Sequence, residues 1–134
     1  MNQVEDIEAI LGMKVLAVVG CSGNPERPSH QVASYLKDVG YRVIPVHPKY
    51  SEVLGEKCYP KLSDIQIPVD AVVIFRRSDQ IVPIVEEGVK IKVKALWMQD
   101  GVVNLQAAKL AKRSGLRVVM DDCIMRQHAS RLGR

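Results

Sequence analysis

The chain has 134 residues, 47% apolar but only 4% aromatic, and a formal net charge of +4. That length suits one domain with its own core, built from Val, Ile, Leu and Ala rather than from rings. Three cysteines without CxxC spacing argue against a disulfide framework or a zinc site, and no apolar run approaches the roughly 20 residues of a helical membrane span.

The opening "MNQVEDIEAILG" is acidic and amphipathic, unlike a signal peptide, and is expected to form an N-terminal helix within residues 1–13. Residues 14–122 then alternate short apolar runs with amphipathic stretches. Val15–Gly20, Arg42–Val46, Ala71–Phe75, Ala95–Met98 and Arg117–Met120 are β-branched and nearly continuously apolar, as buried parallel strands are. Between them "SHQVASYLKDVG", "SDQIVPIVEEGVKI" and "NLQAAKLAKRSG" read as helices. Gly40 and Gly115 stand at helix stops, and Pro83 is early enough to sit in a first turn. The connection from Val46 to Asp70 lacks a long helix and carries one short helical turn near Leu62–Ile65. Residues 123–134 supply a C-terminal helix over "IMRQHASRL". The predicted fold is a single α/β domain, a Rossmann-like doubly wound parallel sheet of about five strands in the order 3-2-1-4-5.

In such sheets ligands lie beyond the carboxyl ends of the strands, where strand order reverses. Four loops therefore matter. The first, "GCSGNPERPSH", has Gly20 and Gly23 but not the third glycine of a dinucleotide fingerprint. It leads into a helix with Ser29 as the expected N-cap, and a helix N-terminus beside Arg27 and His30 is suited to phosphate, each anion contact gaining roughly 0.3–1 kcal/mol. The second loop, "VHPKY", lacks the carboxylate that holds an unphosphorylated ribose. It offers His47 and Lys49 instead, which favours a ribose phosphate, as in NADP or coenzyme A. The third, "FRRSD", presents Phe75 and Arg76 for base or phosphate; Arg76 and adjacent Arg77 cannot both point the same way, so at least one of them is expected in solvent. The fourth, "WMQDGVVN", places Gln99 and Asp100 at the switch point, with Trp97 read as core.

The stretches "VVGCSGNPERPSHQVASYL", "GYRVIPVHPKY", "GEKCYPKLSDI", "FRRSD", "WMQDGVVN" and "GLRVVMDDCI" together make the chain resemble the small stand-alone CoA-binding proteins. Their domain is also the N-terminal CoA-binding domain of the succinyl-CoA synthetase alpha subunit. The resemblance runs from about Val15 to His128 and implies coenzyme A along the strand ends. Gly20, Cys21, Ser22 and Gly23 would lie against the nucleotide and pyrophosphate, and Lys49 matches the lysine that holds the phosphorylated ribose. Met98, Gln99 and Asp100 fall where the pantetheine arm is contacted. His47 departs from the asparagine common in the stand-alone proteins.

The expectation is a cytoplasmic, non-catalytic domain that binds coenzyme A or an acyl-CoA, alone or for a partner protein, with no nucleic acid and no membrane involved. His30, His47 and His128 are far apart in sequence and read as helix start, turn and surface helix, so no catalytic constellation emerges. Cys21 is a candidate for a mixed disulfide with the CoA thiol, against a simpler reading as packing beneath the loop. Two rivals stay open: an NADP-dependent reductase or redox sensor, and a protein-interaction module with a vestigial nucleotide site.

Overall fold

The β-branched runs assemble into one parallel sheet because both of its faces are covered. In the computed structural model, which describes residues 2–133, the chain runs α1 (Val4–Leu11), β1 (Val15–Val19), α2 (Pro28–Asp38), β2 (Arg42–Val46), β3 (Glu52–Val53), β4 (Glu56–Lys57), β5 (Ala71–Ile74), α3 (Ile81–Lys90), β6 (Ala95–Met98), α4 (Leu105–Arg113), β7 (Arg117–Val119) and α5 (Ile124–Arg131). Single 3-10 turns precede β5 at Leu62–Asp64 and α3 at Ser78–Gln80. The five expected strands, both terminal helices and the turn near Leu62 are all present. Helices α2 and α4 end beside left-handed Gly40 and Gly115, and Pro83 lies in the first turn of α3.

The main sheet has the order β2-β1-β5-β6-β7, with every pairing parallel. Counted over the five expected strands this is 2-1-3-4-5, so the doubly wound class holds but the expected 3-2-1-4-5 is corrected. The third strand pairs with the first rather than lying outside the second. The connection after β2 explains why. Leu62, Ile65 and Val69 are buried with Ile81, Val85 and the alanines of α4 on one face, whereas α1, α2 and α5 cover the other. A right-handed crossover on the face opposite α2 must carry the chain back past β1. Pro45 agrees with this: its carbonyl accepts the Tyr59 N–H at 3.1 Å on the outer side of β2, where a proline's missing N–H breaks no pairing with β1. Proline within a parallel sheet belongs on an edge strand.

One element was not expected. Residues 52–57 form a two-stranded antiparallel hairpin, β3–β4. Its turn places Leu54 and Gly55 at φ 56° and 75°, the geometry of a two-residue hairpin loop. Lys37 of α2 pins it, with Nζ donating to the Leu54 carbonyl at 2.6 Å and pairing with Glu56 at 3.2 Å.

At the switch point β1 and β5 lie side by side, and the chain leaves β1 through Gly20 at φ 86°. A Cβ there would stand 2.2 Å from the Phe75 carbonyl oxygen. Gly20→Ala combines that clash with left-handed strain, so urea unfolding should show a loss on the order of 2–4 kcal/mol. A cost below half of that would mean the two strand ends can separate without penalty.

Candidate functional site

The strand ends on either side of the switch point open into two adjoining cavities. The first, about 420 Å³, lies between the loops after β1 and β2 and is lined by Gly20, Ser22, Asn24, Arg27, Pro28, Ser29, His47, Lys49, Tyr50 and Phe75. The second, about 650 Å³, lies between β5, β6, α2 and α5; Val32, Val102, Cys123 and Met125 join Gln31, Arg76, Arg77, Gln99, Asp100 and Arg126 in its wall. Pro28 and Phe75 line both, so the cavities meet across them.

The first cavity is held open by its loop. The loop after β1 is braced by Ser29, whose Oγ accepts the Ser22 N–H at 3.0 Å, while the Ser22 Oγ accepts the Asn24 N–H at 3.0 Å. This corrects the expected N-cap. Helix α2 starts two residues earlier than a Ser29 cap would place it, with Arg27 at the cap and Pro28 at the first helical position, and no side chain caps it. Proline is favoured there because its fixed φ is helical and its missing N–H would have had no partner. Ser29 is consequently buried and holds the loop. Gly23 serves a neighbour: a Cβ on it would meet the Tyr50 ring at 2.8 Å.

Positive charge gathers at this end. Arg27, Lys49 and Arg76 make no ion pair among the described residues. Arg77 turns away, 76% exposed and paired with Asp79 at 3.0 Å. The His47 ring packs on Tyr50 with centroids 4.7 Å apart, and its Nδ1 accepts the Lys49 N–H at 3.1 Å. Burial, then Arg76 and Lys49, push the His47 pKa down. The neutral ring therefore carries its proton on Nε2, a donor at the cavity wall.

The second cavity is more apolar, and on its α5 side the charges pair. Arg126 donates to both carboxylate oxygens of Asp100, at 3.1 and 2.9 Å, and to Asp122 at 2.9 Å. These bonds hold the Asp100 carboxyl below the usual carboxylate range. Gln99 is 3% exposed, and its Oε1 accepts the Ile124 N–H at 3.0 Å, tying β6 to the start of α5.

Several expected residues stand elsewhere. Met98 is fully buried on the α3–α4 face. Alternation along β6 sends Trp97 and Met98 to opposite covered faces, so the Met98 side chain has no path to either cavity. Cys21 is 0% exposed beneath the loop, and burial together with neighbouring Cys58 pushes its thiol up to about 12. It is packing rather than a nucleophile. His30 is half-buried in the first turn of α2 and lines neither cavity. His128 is not a surface residue: its Nδ1 meets the Tyr35 hydroxyl at 2.7 Å and its ring packs edge-on against Tyr35 and Tyr41. Sequence reasoning missed Tyr50, Asn24, Cys123 and Arg126. Tyr50 directly follows the "HPK" loop and was the most legible of them; the others come to the site through tertiary packing.

Among the described residues no group of His, Cys, Asp and Glu has metal-binding geometry, and no helix is long and apolar enough to cross a membrane. The fold and crevice define a doubly wound α/β domain with a cation-lined opening at its switch point. The profile of the CoA-binding domain matches residues 14–129, and the chain belongs to that family. It is 40% identical to the Bacillus subtilis protein YneT over 96% of this chain and 95% of that one. A hypothetical protein from Pyrococcus horikoshii OT3 superposes with a TM-score of 0.92 at 42% identity, covering 96% of this chain and 92% of that one. The ADP-forming acetate–CoA ligase of Methanocaldococcus jannaschii is 29% identical over 83% of this chain, but the match spans only 17% of that enzyme.

The charge arrangement has a direct readout. Removing a cation stabilises the imidazolium, so Arg76→Ala should raise the His47 pKa toward its ordinary value. An NMR pH titration of the ring would show this; an unchanged His47 would mean that Arg76 does not face it.

Proposed function

We propose that this protein binds coenzyme A or an acyl-CoA at the carboxyl ends of β1, β2, β5 and β6, without transforming it. The observation that carries this reading is the pairing of the two cavities: a polar one lined by unpaired Arg27 and Lys49 beside a larger, more apolar one, with unpaired Arg76 in the wall of the second. Coenzyme A has that same division, a highly anionic phosphorylated nucleotide joined to a thin, weakly polar arm. The ADP 3′-phosphate would lie toward Lys49, the pyrophosphate against the uncapped start of α2, and the arm past Pro28 and Phe75. Family membership supports the same ligand class. Chemistry on the ligand has few agents here: Asp100 is held in an ion pair, Cys21 is walled off, and Nδ1 of His47 already accepts a hydrogen bond.

Calorimetric titration with coenzyme A, 3′-dephospho-CoA and NADP tests the reading. Coenzyme A should bind best, and Lys49→Ala should weaken it by about tenfold to a hundredfold, the worth of one charge-assisted contact. The same substitution should leave 3′-dephospho-CoA nearly unaffected. Preference for NADP, or no binding of coenzyme A at all, would overturn the proposal.

A further inference from the structure

The second cavity is too large for the thin half of the ligand. It measures about 650 Å³ against about 420 Å³ for the first, yet the first takes the bulky nucleotide and the second only the arm. A pocket of roughly 300–1,000 Å³ encloses a whole small ligand, so an extended arm leaves part of this one unfilled. The walls define what fits the remainder. Pro28 and Val32 of α2, Phe75 after β5, Val102 after β6, and Cys123 and Met125 at the start of α5 converge on it. The cations beside them are engaged or turned elsewhere. Arg126 is held by Asp100 and Asp122, both at 2.9 Å, and Arg77 by Asp79 at 3.0 Å. Of the three arginines in this wall only Arg76 makes no ion pair among the described residues, and it stands close enough to His47 of the first cavity to lower the pKa of that ring.

We infer that the second cavity holds an acyl group together with the arm, and that the preferred ligand is an acyl-CoA whose acyl chain is apolar and several carbons long, rather than free coenzyme A or a dicarboxylic acyl-CoA. The inference rests on the CoA reading above. It also rests on Pro28 and Phe75, which line both cavities and so let one continuous ligand occupy them. Val32, Val102 and Met125, from three different elements, set how long a chain fits. Each methylene fully buried against them raises affinity about fourfold. A terminal carboxylate would instead give up its hydration among apolar side chains, where an unpaired charge is costly.

Calorimetric titration of the full chain with coenzyme A and with acetyl-, butyryl-, hexanoyl- and succinyl-CoA tests this. Hexanoyl-CoA should bind at least about tenfold more tightly than acetyl-CoA. Succinyl-CoA should bind more weakly than butyryl-CoA, which carries the same number of acyl carbons. Val102→Phe and Met125→Trp fill the cavity and should bring the ratio of hexanoyl-CoA to acetyl-CoA affinity close to one. Met125 is only half-buried, so its larger replacement is tolerated even where Val102→Phe does not fold. Equal affinity for coenzyme A, acetyl-CoA and hexanoyl-CoA, tighter binding of succinyl-CoA than of butyryl-CoA, or an unchanged ratio in a folded variant would overturn the acyl pocket and leave the binding of coenzyme A standing. No binding of any of the five would overturn both.

Discussion

The backbone of β5 comes so close to the end of β1 that no side chain fits between them. The Phe75 carbonyl occupies the space that a Cβ on residue 20 would need. Everything at the site follows from that approach. It keeps the two central strands in register to their last residues, lets the first loop turn aside at once, and makes Phe75 a ridge on which both cavities end. Val46 joins the same knot, since its carbonyl accepts the N–H of Gly20 at 2.8 Å and of Cys21 at 3.3 Å. Three strand ends are thereby fixed with respect to one another before any side chain is considered.

On that frame the two cavities are kept different by how their charges are used. At the β1–β2 end the cations have no carboxylate to meet, and burial together with Arg76 and Lys49 pushes the His47 pKa down. At the β6–α5 end one arginine is shared between two aspartates, so its charge is spent inside the protein. A long ligand with an anionic head and a neutral tail meets complementary surroundings along its whole length. A compact anion would use only the first half, and an uncharged chain only the second.

Much of this was legible in the sequence, and the misses have physical causes. Strands buried on both faces announce themselves as unbroken β-branched runs, which is why all five were found. Strand order is a matter of which face each connection covers, and the short segment after β2 carries that signal in three residues, Leu62, Ile65 and Val69. Pro45 was the better clue, since it marks β2 as an edge. Ser29 illustrates the limit of local rules. Its position before an apolar run fits an N-cap, yet Pro28 supplies the helix start and frees the serine to brace a loop seven residues away. Cys123 and Arg126 had no local signature at all, because α5 reaches the crevice only by packing beside α2.

The borders of the sheet are finished in a way that bears on how molecules of this protein meet each other. Beyond β2, Tyr59 forms a bridge to Val46 and exchanges further backbone bonds with Pro45 and His47. At the opposite margin the Asn2 side-chain amide both donates to and accepts from the backbone of Met120, at 2.8 and 2.9 Å, imitating one rung of a neighbouring strand just past the end of β7. Rows of unpaired amides on flat sheet margins are templates for edge-to-edge aggregation. Here one margin is occupied by the chain's own loop and the other is three residues long with a side-chain plug at its end, so a second copy finds little backbone to zip onto even at high concentration.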